Sequence, residues 1–223
     1  MQAVILAAGK GLRLRPFTEK HPKPLITVGN KPLIHFTLET LPDEISEIII
    51  IIGYLAEQII EILGDNWQGK PIKYVNQPNL NGTGNALLMA KDLLHDKFLV
   101  VNGDDLYSKQ DLTSMLNYDF AILAWKSSAV SEFGLVTTPN MQLLNFDSSS
   151  SLINCGAYCL NPTFFNEPLA TVSVHGNTEY SLPHTLVNIA QKTEVMVVQA
   201  SHWFPIGTQQ QLDFANLYYI DRM

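Results

Sequence analysis

With 223 residues the chain is long enough for one large domain, and at this size folding buries about 70 to 75% of the unfolded surface, so neither a disulfide nor a structural metal is required. Hydrophobic residues make up 46% of the chain and charged residues 16%. The 14 Lys and Arg against 21 Asp and Glu give a formal charge of -7. That balance excludes a general binder of nucleic acid or of anionic membranes, so a bound anion must be held by a local site.

In chain order, Gln2 to Leu6 is a short apolar run broken by Ala7, Ala8, Gly9, Lys10 and Gly11, the pattern of a buried strand entering a glycine loop. It precedes the charges and is too short for a secretory signal, and no run of 18 apolar residues follows anywhere, so a cytoplasmic protein without a membrane partner is expected. Pro32 to Leu41 opens with proline at a first-turn position and continues with helical apolar spacing. The run EIIIII, Glu47 to Ile52, is apolar on both faces, as in a central strand of a parallel sheet covered on both sides. The alternation continues with Tyr54 to Leu63 as helix, Ile72 to Val75 as strand, Asn85 to Leu94 as helix, and Phe98 to Val101 as a strand ending in NGDD. It predicts a doubly wound, Rossmann-like α/β sheet.

After about residue 118 the apolar segments Phe120 to Trp125, Gly134 to Thr138, Gln142 to Phe146 and Leu152 to Leu160 read as strands with few helices between them, a β-rich extension of the same domain. A helix at Ser181 to Ala190, a strand at Glu194 to Gln199 and an amphipathic helix from about Gln209 to Tyr219 complete the pattern. Cys155 and Cys159 share one face of a strand ~13 Å apart, too far to bridge. Their spacing is that of neither a CxxC redox motif nor a zinc motif, and unpaired buried thiols fit a reducing compartment.

The glycine loop does not fit GxGxxG, because Leu14 takes the third glycine's place, and it lacks the Ser or Thr of a Walker A loop. What distinguishes it is Arg13, Arg15, Lys20 and Lys23 within eleven residues of an acidic chain. Basic side chains beside a glycine turn at the carboxyl edge of a sheet suit a triphosphate whose charge must be neutralised during attack.

The sequence LAAGKGLRLRP followed by HPKPL closely resembles the signature of the sugar-1-phosphate nucleotidyltransferases, which join a nucleoside triphosphate to a sugar 1-phosphate and release pyrophosphate. The resemblance spans about residues 1 to 208. It implies the nucleotide-diphospho-sugar transferase fold, with about 1–118 as the nucleotide-binding half and about 119–223 as the sugar-phosphate half. It further implies that the backbone of Leu6, Ala7, Ala8 and Gly9 holds the nucleotide, that Arg13 meets the leaving phosphates and that Lys23 grips the reacting phosphates. Gln77 and the Gly82-Thr83-Gly84 turn resemble the family's second signature, with Gln77 reading the base edge and Gly82 approaching it through its backbone. Asp104, at the end of LVVNGDD, corresponds to the family's magnesium aspartate, a hard oxygen donor suited to Mg²⁺. EFGLV resembles the sugar-contacting glycine segment, giving Gly134, and LINCGAY resembles the N-x-G-x-Y strand, giving Asn154.

Two departures stand out. NFDSSSS occupies the place of a glutamate-lysine-proline segment that many relatives carry. A short branch similar to N-acetylmuramate 1-phosphate uridylyltransferases also lacks that segment and ends in a motif like His202-Trp203. The late signature WxDxGT appears here as WFPIGT, so Pro205 stands where the second magnesium carboxylate is expected, and Asp104, helped by Asp105, is left to hold the metal. A cytidylyltransferase acting on a small alcohol phosphate such as phosphocholine, and a nucleotide-binding protein without catalysis, are the alternatives. Trp67, Trp125, Trp203, His21 and His35 read as packing residues rather than ligands.

Overall fold

The structure is a computed structural model and describes residues 1–128, 134–174 and 176–220. The elements that build the site are, in chain order, β1 (Gln2–Leu6), α1 (Leu33–Glu39), β2 (Glu47–Ile52), α2 (Ala56–Leu63), β3 (Lys70–Asn76), α3 (Thr83–Met89), β4 (Phe98–Asn102), β5 (Asp105–Tyr107) and α4 (Lys109–Met115). They continue with β6 (Ala121–Lys126), β7 (Leu152–Leu160), β8 (Asn177–Ser181), α5 (Leu182–Ala190), β9 (Met196–Gln199), β10 (Trp203–Pro205) and α6 (Gln209–Ile220).

The main sheet has the order β9-β6-β7-β4-β1-β2-β3 and ends in the short Asn66–Trp67 strand. β1 pairs in parallel with β2 on one side and β4 on the other, while β7 runs antiparallel to both β4 and β6. The chain therefore steps outward from β1 to β2 and β3, then returns to β4 across β1. That reversal creates a switch point, and ligands of open α/β sheets bind beyond the strand carboxyl ends at such points.

The expected two-sided burial of EIIIII is met. Ile48, Ile50 and Ile52 enter the core on one face, and Ile49 and Ile51 enter it on the other. Each fully buried isoleucine contributes about 1.5 to 3 kcal/mol. Of the β-rich second half, β6, β7 and β9 extend this same sheet, and the other strands form separate two-stranded ladders. Ala121, Ile122, Leu123 and Ala124 of β6 are all inaccessible and need cover on both faces, which a layer flanked on both sides supplies.

A third core cluster lies apart from these two layers, formed by Leu14, Ile26, Val28, Leu33, Leu106, Ile206, Leu212 and Ala215. It joins the basic loop to β5, to the segment after β10 and to α6.

Some boundaries differ from the sequence reading. Leu55 adopts a left-handed φ of 51°, so α2 begins at Ala56 rather than Tyr54. The helix expected over Asn85 to Leu94 starts earlier, at Thr83, and gives way to a 3-10 turn at Lys91–Leu93. α6 lies where expected but is not amphipathic: Leu212 and Ala215 are buried, whereas Phe214 and Leu217 are 56% and 74% exposed. Cys155 and Cys159 are unpaired and buried on one face of β7. Burial pushes the Cys159 thiol up to about 12 and that of Cys155 higher still, which keeps both protonated and unreactive. No helix among the described residues is long and apolar enough to cross a membrane.

Candidate active site

The glycine loop leaves β1 under tight backbone control. Ala7 donates its N–H to the Ile51 carbonyl at 2.9 Å, and Tyr54 donates to the Ala8 carbonyl at 3.0 Å. Ala7 and Ala8 are buried and Gly9 is exposed. Gly11 takes a left-handed φ of 61°, and its carbonyl accepts the Thr18 hydroxyl at 3.0 Å. A Cβ at Gly11 would lie 2.9 Å from Thr18 and 3.0 Å from Lys23, so glycine is what lets the loop fold back and place Lys23 beneath its own start. Leu14 plugs into the third core cluster and leaves its neighbours Arg13 and Arg15 exposed.

The end of β4 meets this loop. Gly103 donates to the Leu6 carbonyl at 3.0 Å, and a Cβ there would press on Ile5 at 3.0 Å. The next residue, Asp104, forms an ion pair with Lys23. Two residues that the sequence assigned to one site by motif alone are therefore in contact at the switch point.

Asp105 turns inward. Its carboxyl is buried, and its Oδ2 accepts one long hydrogen bond, 3.4 Å, from the Asn102 amide. Burial, and then the negative charge of Asp104, pushes it up to about 7, against the opposing influence of Lys23, Asn102 and Trp203. Asn102 also abuts β7: Gly156 has a φ of 69°, and a Cβ there would lie 2.0 Å from the Asn102 amide nitrogen. Sequence reasoning missed Asn102, whose only local signal is its position before GDD.

The late segment closes this side. β10 pairs antiparallel with β5, setting Trp203 opposite Tyr107, Phe204 opposite Leu106 and Pro205 opposite Asp105. Beyond it, Gly207 lies against the Arg13 guanidinium, since a Cβ there would be 3.0 Å from Nη2, and its N–H donates to Gln211 Oε1 at 2.8 Å. Arg13, Lys23, Asp104, Asp105 and WFPIGT thus form one neighbourhood.

The remaining expected residues have well-defined places. Gln77 is buried, its N–H donates to the Ile52 carbonyl at 2.8 Å and its side-chain amide donates to the Gly82 carbonyl at 3.1 Å. Leu80, from the same turn, packs against Gly53, which in turn crowds Ala8. The turn is thereby joined to the glycine loop. Gly82 has a φ of 109°, and a Cβ there would be 2.3 Å from the Tyr180 carbonyl, so its close approach is to the β8 backbone. Thr83 is exposed, with its hydroxyl accepting the Leu182 N–H at 3.2 Å.

Asn154 is engaged at both ends, accepting the Gly156 N–H and donating to the Tyr158 hydroxyl, each at 2.9 Å. Gly134 is buried under the DSSSS turn, with its Cβ position 2.5 Å from the Ser150 carbonyl and its own carbonyl accepting the Asp147 N–H at 2.8 Å. Glu132 and Phe133 of EFGLV lie outside the described residues. Trp67 packs on His35 at 4.9 Å, and burial lowers the His35 pKa, in keeping with packing roles. Among the described residues no group of three or more His, Cys, Asp or Glu is arranged around a metal position. A cavity of about 780 Å³ lined by Met1, Glu44, Lys97 and Lys109 lies at the opposite, amino edge of the sheet.

A basic glycine loop ion-paired to an aspartate at the switch point of a doubly wound sheet defines a nucleotide-handling α/β protein. The chain belongs to the nucleotidyl transferase family, whose model matches residues 2–222. Over 231 residues it is 32% identical to the bifunctional protein GlmU of Methanocaldococcus jannaschii, covering 100% of this chain and 55% of that protein. The chain thus spans about half the length of that relative. It is also 32% identical over 180 residues to the UTP–glucose-1-phosphate uridylyltransferase AglF of Haloferax volcanii, covering 74% of each. A crystal structure from Bacillus anthracis, provisionally named a glucose-1-phosphate thymidylyltransferase and solved with sucrose, superimposes with a TM-score of 0.82 at 25% identity, covering 99% of this chain and 96% of that one.

Proposed function

We propose that the protein transfers a nucleotidyl group from UTP or dTTP to a sugar 1-phosphate, releasing pyrophosphate and forming a nucleotide sugar. The observation that carries this reading is the Lys23–Asp104 ion pair at the switch point, together with Arg13 set against Gly207 of the late segment. The names of the H. volcanii and B. anthracis proteins, which specify a uridylyl and a thymidylyl transfer to glucose 1-phosphate, support the choice of a pyrimidine nucleotide and a hexose phosphate.

In this reaction a phosphate oxygen of the sugar 1-phosphate attacks the α-phosphorus. The bond from that phosphorus to the β-phosphate oxygen breaks, and pyrophosphate departs. The nucleophile is already an anion near neutral pH, so no general base is required. Catalysis then comes from orientation and charge neutralisation by Lys23 and Arg13. Lys23, ion-paired with Asp104, is assigned to the reacting phosphates, while Leu6 to Gly9, Gln77, Gly82 and Thr83 are assigned to the nucleotide and Gly134 and Asn154 to the sugar side.

The donor set fits Mg²⁺. Asp104 and Asp105 offer hard oxygens, and the buried Asp105 carboxyl accepts a long hydrogen bond from Asn102 with Trp203 close by. Asp104 would hold the cation with help from Asp105, Pro205 offers no side-chain oxygen, and a bound cation would neutralise phosphate charge. Two buried thiols fit a reducing cytoplasm.

A second reading rests on Pro205, opposite Asp105: a protein that binds nucleotide without turning it over. The discriminating experiment measures pyrophosphate release with Mg²⁺ across four nucleoside triphosphates, a panel of sugar 1-phosphates and phosphocholine. Release with one pyrimidine nucleotide and one sugar 1-phosphate is expected. Release with CTP and phosphocholine points instead to the alcohol-phosphate alternative, and nucleotide binding without release to the second reading.

A further inference from the structure

Asp111, in the first turn of α4, is buried, and its carboxylate is saturated by a segment far along the chain. Its oxygens accept the Ser201 N–H at 2.7 Å, the Ser201 hydroxyl at 2.9 and 3.0 Å and the His202 N–H at 3.1 Å. Charge-assisted bonds of this kind are about twice as strong as neutral ones. The clamped turn leads directly into β10, which has three residues and among the described residues pairs only with β5. A two-stranded ladder that short does not hold itself in water.

The consequences run toward the site. Trp203 follows the turn at once, and its buried indole N–H has no partner of ordinary hydrogen-bond geometry. It lies close enough to Asp105 to favour the charged carboxylate. Two residues on, Pro205 stands opposite Asp105, and two further on Gly207 lies against Arg13.

We infer that Asp111 is a positioning residue: through Ser201 and His202 it seats Trp203 against Asp105 and Gly207 against Arg13, and so holds the acidic and basic parts of the site in register. This rests on the transfer reaction proposed above. Asp111 acts through these neighbours, its carboxylate being taken up by Ser201 and His202.

The test uses the full chain with Trp67→Phe and Trp125→Phe, leaving Trp203 as the sole indole emitter. Asp111→Asn keeps the side-chain shape but brings an amide donor against the Ser201 and His202 donors. The expected result is a fall in kcat of about 10- to 100-fold, the scale of a small misplacement of catalytic groups, with KM for the nucleotide changed less than about threefold. Trp203 emission should also shift to longer wavelength. Ser201→Ala removes only the hydroxyl and should move both readouts in the same direction by less, which keeps the test available if Asp111→Asn does not fold. A lower Tm with unchanged kcat per folded molecule and unmoved Trp203 emission, in the variants that fold, would overturn the inference. Absence of transfer in the parent protein overturns the transfer reading instead, so the two failures are distinct.

Discussion

Pro205 lies directly across the β5–β10 ladder from Asp105. Residues opposite each other in an antiparallel pair present their side chains on the same face about 5 Å apart. The position that lacks a carboxylate is therefore adjacent to a buried one. If Asp105 assists Asp104 in holding a cation, Pro205→Asp adds a third oxygen donor group at the same place. Titration with Mg²⁺ in the presence of nucleotide should show tighter binding than in the parent, with turnover equal or higher. Unchanged affinity and turnover would remove residue 205 from the metal site.

Lys23 and Arg13 are assigned to phosphate charge. Each alanine substitution should lower turnover by about tenfold to a thousandfold, the range seen when an electrostatic stabiliser is removed. Arg13 is exposed, so Arg13→Ala should leave Tm close to that of the parent. Steady-state pyrophosphate release decides this, and near-parental rates in both variants would exclude them from the mechanism.

Asp105 gives a pH signature of definite sign. Its folded-state pKa of about 7 lies above the ordinary carboxylate value, so the folded protein keeps a proton that the unfolded chain gives up. The stability it contributes is complete below about pH 4 and is lost as pH climbs to about 7. His35 and His184, lowered by burial, act oppositely, their contribution being lost as pH falls through the usual histidine range. Asp105→Asn removes the first effect alone. In metal-free buffer the Tm of Asp105→Asn should rise relative to that of the parent between about pH 5 and about pH 8, and parallel curves would refute the shift.

The glycines separate packing from binding. Gly156→Ala puts a Cβ 2.0 Å from the Asn102 amide at positive φ and should destabilise by about 1 to 3 kcal/mol or more. At Gly9 a Cβ meets nothing within 4 Å. Gly9→Ala should therefore keep stability within about 0.5 kcal/mol while weakening nucleotide binding, if the loop backbone holds the nucleotide. Chemical denaturation beside nucleotide titration distinguishes the two classes, and unaltered nucleotide affinity in Gly9→Ala would take Gly9 out of the site.

Much of the fold was legible because it is written in near neighbours. Five consecutive isoleucines read as a strand covered on both faces, Gly9 and Gly11 mark a loop after the first strand, and the alternation of strand and helix patterns up to residue 101 leaves a doubly wound sheet as the economical arrangement. The basic loop and the GDD strand end were equally local signals, and the sheet brings them together as the Lys23–Asp104 pair. Other features depended on chain segments distant in sequence. No local pattern says that Pro205 will face Asp105, that Gly82 is pressed on Tyr180, that Asn102 sits under Gly156, or that Asp111 will grip a turn 90 residues away. Periodicity fixes which face of an element is buried, but which groups meet across elements is set by strand order and register, and these are decided only when the whole core closes.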